Sequence, residues 1–178
     1  MVRQPRNCKT YGCSVQSVMS ERSQITDLEA IEPYVLGGKA TVTVVSKTSG
    51  SRFTYKVEQK KVRRKDDETD EQYRARKQLA HDGVRFVSVM TGPDNEHSYT
   101  YIGHINDGRQ FRLDRKSKIS GTAPSVSAWQ WFWTAVRAKS EKVDQCEVWH
   151  EGCCSRCGRK LTVPESVASG LGPVCAAA

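Results

Sequence analysis

A group of cysteines near the C-terminal end constrains this chain more than any other feature. Cys154 and Cys157 are separated by two residues, and Gly158 follows directly. Two thiolates at positions i and i+3 can bind one ion, because the turn between them points both sulfurs inward. Gly158 can adopt the left-handed backbone conformation that such a turn favours. The spacing therefore predicts a metal-binding turn, with zinc as the metal.

The segment after this turn contains the signals of one short helix. Thr162 is a candidate N-cap, Pro164 stands in the first turn, and Gly170 is a candidate C-terminal stop. The turn at Gly172-Pro173 then directs the chain back toward the first two cysteines. The sequence thus predicts that the sulfur of Cys175 joins them.

A structural zinc site needs a fourth ligand in tetrahedral geometry. His150 precedes the cysteines, on a strand predicted over 146–150, and is the preferred candidate. Cys153 and Cys146 remain open as alternatives, although neighbouring residues such as Cys153 and Cys154 seldom reach the same ion with good geometry. The predicted ligand set is His150, Cys154, Cys157 and Cys175.

The cellular compartment also favours metal binding over disulfides. The start of the chain is basic and polar, and no stretch approaches the roughly 18 apolar residues of a membrane helix. We therefore expect a cytoplasmic protein of the host cell, where the seven cysteines stay reduced. A redox Cys-x-x-Cys motif would need a βαβ setting, which the sequence does not indicate. Cys8 and Cys13 are interpreted as ordinary thiols rather than half of a second metal site.

The tail also carries a longer motif. It reads Cys154-x-x-Cys157-Gly158-Arg159-x-Leu161-Thr162-x-Pro164-Glu165-Ser166-x-x-x-Gly170-x-Gly172-Pro173-x-Cys175, preceded by His150. This string resembles a small zinc-finger-like domain of uncharacterised proteins from bacteriophages, prophages and plasmids. A strand-rich segment often precedes the finger in those proteins, so the likeness extends from Gly38 to Cys175. The resemblance implies a zinc site and a mobile-element origin, and it implies no reaction.

The rest of the chain predicts an antiparallel sheet. β-branched and aromatic residues alternate in several short segments separated by turn residues, which is typical of a meander of about five strands. The fold class is therefore α+β: this sheet, a packed Trp-rich helix and a small C-terminal zinc-binding module. The predicted strands cover residues 40–45, 52–57, 84–90, 99–105 and 110–113.

Two helices are predicted beside these strands. Thr69 and Gln72 form a capping box, so Asp70 to His81 should be helical. A second helix, with Ser127 as N-cap, should run to about Ala138 and pack its tryptophans against the sheet. The predicted domains are a loosely ordered N-terminal arm (1–37), an α+β domain (38–140) with a charged helical insert (60–82), and the zinc-binding module (141–178).

The charge of the chain favours polyanionic partners. Its 28 Lys and Arg exceed its 20 Asp and Glu, which gives a net charge of +8. Two clusters are candidates for contacts with nucleic acid or another partner, one in the insert and one in the finger. An alternative for the insert is a solvated face neutralised by its acidic neighbours. The candidate residues are Lys60, Lys61, Arg63, Arg64, Lys65, Arg156, Arg159 and Lys160.

We expect a non-enzymatic protein. Asp94, Glu96, His97 and His104 match no metalloenzyme signature, and the sequence contains no phosphate-binding loop or nucleophile elbow. The predicted function is that of a zinc-binding accessory protein of a phage or mobile element that binds DNA or RNA. The alternative is a protein-binding effector that inhibits a host defence or replication complex, such as an anti-CRISPR. Neither alternative involves a membrane or a small-molecule substrate.

Overall fold

A computed structural model describes residues 24–59, 62–81, 83–94, 96–107 and 109–177. These residues form one six-stranded sheet and several helices. The strands are β1 (Lys39–Ser46), β2 (Arg52–Gln59), β3 (Arg85–Met90), β4 (Tyr99–Ile105), β5 (Phe111–Leu113) and β6 (Cys146–His150). The helices are α1 (Leu28–Val35), α2 (Asp70–His81), α3 (Pro124–Arg137), α4 (Pro164–Ser169) and α5 (Pro173–Ala176), with a 3₁₀ helix at Glu141–Gln145.

The sheet order is β5-β4-β3-β2-β1-β6, and all neighbouring strands are antiparallel. The first five strands form the predicted meander, so the predicted α+β class is confirmed. The sixth strand differs from the prediction, which assigned residues 146–150 to the zinc-binding module. In the structure β6 pairs with β1, and the cysteine segment, called here the cysteine module (residues 151–177), leaves directly from the sheet.

The core lies between one face of the sheet and helices α1 and α3. Ala40, Val42 and Val44 alternate along β1 and are all buried. On α3, Trp129 and Trp133 are almost completely buried, and the Trp129 ring lies 4.7 Å from the ring of Tyr55 on β2. The predicted packing of the Trp-rich helix against the sheet is therefore confirmed.

The predicted loosely ordered arm covers residues 1–37, of which residues 1–23 lie outside the described part of the chain. Helix α1 corrects this prediction for residues 28–37. Ile31, Tyr34 and Val35 are buried on one face of this helix, and Asp27 caps it by accepting a hydrogen bond from the Glu29 amide. Residues 28–37 therefore belong to the folded core. The helix has only two turns and contains Pro33, so its sequence offers too short a period to be recognised.

The boundaries of the other helices test the capping signals. In α2 the Thr69 hydroxyl accepts from the Gln72 amide and the Gln72 side chain accepts from the Thr69 amide, so the capping box is confirmed. Helix α3 begins at Pro124 rather than after Ser127, with Ala123 as its N-cap. Proline suits this first position because the first helical N–H has no intrahelical partner. No helix within the described ranges is long and apolar enough to cross a membrane.

Candidate metal centre and its basic surroundings

The cysteine module brings three sulfur atoms together. The Sγ atoms of Cys154, Cys157 and Cys175 all lie within 4.8 Å of one another. Zinc–sulfur bonds of about 2.3 Å in tetrahedral geometry separate the sulfurs by about 3.8 Å, a spacing compatible with the upper limit of 4.8 Å. Gly158 has the predicted left-handed conformation, with φ of 78°. The trio therefore fits a metal ion, and in the described part of the chain it is the one such group of three or more ligands.

Backbone N–H groups stabilise the thiolate form of Cys154. Burial raises the pKa of this thiol, but N–H donors of Cys157, Gly172 and Arg156 outweigh burial and lower the pKa to about 7. The Gly172 amide lies 3.4 Å from the sulfur. Burial and the two neighbouring thiols raise the pKa of Cys175 to about 11. A bound cation would relieve this repulsion and allow all three groups to ionise.

A small hairpin and a short helix hold the trio in place. The Cys154 amide donates to the Arg159 carbonyl and the Leu161 amide to the Gly152 carbonyl, both at 2.8 Å. Helix α4 ends at Gly170, which has φ of 71°, as the sequence predicts. The predicted N-cap is wrong by one residue: Val163, rather than Thr162, precedes the helix, and it makes no side-chain cap.

His150, the predicted fourth ligand, lies outside this group of sulfurs. Both of its ring nitrogens have other partners: Nε2 lies 2.8 Å from the Val167 carbonyl oxygen, and Nδ1 lies 3.0 Å from the Gly152 amide. Burial lowers the pKa of this imidazole, which favours the neutral ring that these two bonds require. In this geometry His150 joins β6 to α4 and does not face the trio with a free nitrogen.

The two alternative ligands are also placed elsewhere. Cys146 is buried on β6, and its thiol donates to the Val143 carbonyl at 3.1 Å. Burial raises the pKa of Cys146 to about 11. Cys153 is exposed and pairs across the hairpin with Lys160. Within the described residues, no further histidine, cysteine or carboxylate completes the trio. Cys8 and Cys13 lie outside the described residues.

The cysteine module is attached to the core at several points. The Lys39 amide at the start of β1 donates to the Ser155 carbonyl at 2.8 Å, and the Lys39 ammonium lies 3.4 Å from the Cys157 carbonyl. Gly170 packs against the Tyr34 ring so closely that a Cβ at this position would overlap it. The orientation of the module relative to the sheet is therefore fixed by contacts with α1 and β1.

Two basic residues of the charged insert, Arg64 and Arg76, have acidic partners within the insert. Arg76 forms a bidentate pair with Glu68, with distances of 2.7 and 2.6 Å, and Arg64 lies 2.6 Å from Asp70. The guanidinium of Arg76 is the main cause that lowers the pKa of Glu68, to about 2. Arg63 and Lys65 are exposed, and Lys60 and Lys61 lie outside the described residues. Of the predicted contact residues in the insert, Arg64 is therefore already paired with an acidic side chain.

Among the described residues, the basic residues of the finger have no such acidic partners. Arg159 and Lys160 are exposed and Arg156 is half-buried. Within the described part of the chain, the side chains of these three residues form no ion pair. Lys39, which the sequence did not single out, adds a fourth cation beside the cysteine turn. This group of four, Lys39, Arg156, Arg159 and Lys160, is called here the module cations.

Other sequence candidates have local roles. Asp94 and His97 bond to each other in the turn before β4, at 3.0 Å, and do not converge with His104 in a metal-capable group. Among the tryptophans of α3, Trp131 remains 40% exposed. The sequence missed Lys39 and the Gly172 amide because both act on the trio through contacts between distant segments, which motif spacing does not reveal.

Comparisons with known proteins gave one match, at the C-terminal end of the chain. Residues 149–178 match a family of unknown function, DUF6011. The match covers the cysteine module. Comparisons with curated proteins and with solved structures gave no significant match.

Proposed function

We propose that this chain is a non-enzymatic nucleic-acid-binding protein whose cysteine module holds one zinc ion. The metal would be bound by Cys154, Cys157 and Cys175, whose soft thiolate sulfurs suit zinc better than magnesium or calcium. The observation that carries the functional proposal is the group of module cations, which lie at the cysteine turn and form no ion pair with any residue in the described part of the chain. Phosphates of a nucleic acid would supply the opposite charge for these cations.

The architecture supports phosphate contacts in a specific way. Arg159 and Lys160 lie on a hairpin that the Lys39 contacts hold against the sheet, and a metal bound by the three cysteines would restrain it further. Cations on such a rigid element would lose little conformational freedom on binding, which favours affinity. Neutralised phosphates would release counterions, so affinity should fall steeply with salt.

A salt titration of binding tests the proposal. The double variant Arg159→Gln/Lys160→Gln should weaken binding and reduce the slope of log K against log salt by about 1.5, because two phosphate contacts are lost. The matched control is Arg63→Gln/Lys65→Gln, which removes the same charge from the insert and should change the slope less. No binding by the wild-type protein at low salt would overturn the proposal.

The protein-binding effector is the second candidate. Trp131 favours it, because a tryptophan that is 40% exposed on a helix is typical of residues that anchor protein interfaces. A mobile-element origin fits both candidates. Co-purification of one stoichiometric host protein, lost in Trp131→Ala, would favour the effector over the nucleic-acid-binding protein.

A further inference from the structure

The sheet has a second face, opposite the core, that is open from β2 to β5. Every side chain on this face is exposed or half-buried in these four strands. β3 is unusual, because it buries Arg85 (5% exposed) against the core and turns Phe86 outward (38% exposed). Arg85 donates to the carbonyls of Leu36 and Gly83, which stabilises this orientation. The open face thus presents an aromatic ring where burial of the apolar side chain would be expected.

Phe86 does not stand alone on this face. The pairing register aligns it with His104 on β4, and the Tyr101 ring lies 6.1 Å from the Phe86 ring. The Tyr101 hydroxyl donates to Asp114 at 2.9 Å, which restrains the orientation of that ring. Phe86, Tyr101 and His104 are called here the aromatic row.

Cations flank the aromatic row on both sides. On one side Glu58 pairs with Phe86 and Lys39 pairs with Glu58, so the row leads to the module cations. On the other side Arg112 pairs with His104. The turn after β5 adds three exposed basic residues, Arg115, Lys116 and Lys118. From β1 to β5 the path is about 19 Å long, or four strand spacings.

The acidic groups along this path are partly engaged. Asp114 accepts from the Tyr101 hydroxyl and from the Lys116 amide, while Glu58 is exposed between Lys39 and Phe86. Lys56, in the next row of the same face, lies 4.5 Å from the centre of the Tyr99 ring. The β1 end of the path carries the positive charge of the module cations, and the β5 end carries that of Arg112.

We propose that this open face binds single-stranded nucleic acid. Unpaired bases stack on the aromatic row, and the phosphates on either side contact the module cations and Arg112. Stacking needs bases whose faces are free, so a duplex, in which the faces are already stacked, fits this surface less well. The inference rests on the proposed nucleic-acid binding and adds its substrate class and its contact surface.

Fluorescence anisotropy with the full-length, zinc-loaded protein tests the inference. The probes are labelled oligothymidylate, labelled oligouridylate and a mixed-sequence DNA duplex, at one low salt concentration. The single strands should bind more tightly than the duplex, and the two single-strand probes distinguish DNA from RNA. Phe86→Leu should weaken single-strand binding by about fivefold or more, because one stacking contact is lost.

Trp131→Leu is the matched control. Trp131 on α3 is 40% exposed and Phe86 is 38% exposed, but they lie on opposite sides of the sheet. Affinity should be unchanged in Trp131→Leu. Circular dichroism of each variant checks that the fold is intact, and ultraviolet cross-linking of the wild-type protein to oligothymidylate gives a measurement that needs no variant. Adducts should map to the peptides that contain Phe86 and Tyr101.

The outcomes separate the two proposals. Failure of the wild-type protein to bind any of the three probes would remove the proposed function itself. Equal affinity for the duplex and the single strands, equal effects of Phe86→Leu and Trp131→Leu, or adducts confined to other peptides would overturn this inference alone. In those three cases nucleic-acid binding through the module cations would stand.

Discussion

The backbone amide of Lys39 donates to the carbonyl of Ser155, which joins the first residue of β1 to the cysteine turn at 2.8 Å. The Lys39 ammonium reaches the Cys157 carbonyl in the same turn. Because β1 lies between β2 and β6, this contact attaches the cysteine module to an inner strand of the sheet. The proposed metal site is therefore held against the sheet and is not part of a finger joined to it only by a linker.

Metal removal should unfold the module and spare the sheet. The buried core cluster includes residues of β1 to β4, β6 and α3 but none of the three clustered cysteines, Cys154, Cys157 and Cys175. After chelation, hydrogen exchange measured by mass spectrometry should accelerate in residues 151–177 and stay slow in β1 and β2. Simultaneous loss of protection in both regions would contradict this separation, because it would make the metal a requirement for the whole fold.

Substitutions at two glycines with the same φ angle distinguish the cost of backbone strain from the cost of steric overlap. Gly152 and Gly170 both have φ of 71°, but a Cβ at Gly152 would meet open space and one at Gly170 would overlap the Tyr34 ring. Gly152→Ala should lower the free energy of unfolding by about 1 kcal/mol. Gly170→Ala should cost about 1–3 kcal/mol more, from the overlap. Urea unfolding measures both, and equal effects would argue against docking of the module on Tyr34.

His150→Ala should destabilise the protein without releasing the metal. The variant loses the bonds to the Val167 carbonyl and the Gly152 amide, which should lower the free energy of unfolding by about 2–3 kcal/mol. Zinc content should stay near one ion per chain, because the trio keeps its sulfurs. A variant that is folded by circular dichroism but contains no zinc would instead restore His150 as the fourth ligand.

The pair of Glu68 and Arg76 should control the acid response of the charged insert. The folded-state pKa of Glu68 is lowered from 4.5 to about 2, so its carboxylate stabilises the insert above pH 4.5. That contribution is lost as the pH falls through the folded-state value. Nuclear magnetic resonance of the side-chain carboxyl should give a midpoint near 2, and Arg76→Gln should return it toward 4.5. A wild-type midpoint near 4.5 would show that the pair is absent in solution.

Local signals explain what the sequence predicted correctly. The capping box at Thr69 and Gln72, the left-handed Gly158 and the stop at Gly170 depend on residues a few positions apart. Alternation within β1 and β2 likewise defines a hairpin without distant information. The turns at Gly158, Gly170 and Gly172 bring the three cysteines together, so the spacing of the motif was sufficient to predict that their sulfurs converge.

Contacts between distant segments explain what the sequence could not give. β6 pairs with β1 across most of the chain, and no local period reveals this partner. Spacing alone does not distinguish an imidazole that binds a metal from one that bonds a carbonyl, as His150 does. In β3 the burial of Arg85 and the exposure of Phe86 reverse the usual preference, and only the tertiary contacts of Arg85 account for this.

Zinc content measured by plasma emission tests the role of the cysteine trio most directly. Wild-type protein from metal-replete expression and the Cys153→Ser control should each contain close to one zinc ion per chain. Cys157→Ser should contain close to none, because it removes one of three converging sulfurs. A wild-type ratio near zero, or full retention of zinc in Cys157→Ser, would contradict the assignment of Cys154, Cys157 and Cys175 as a metal site.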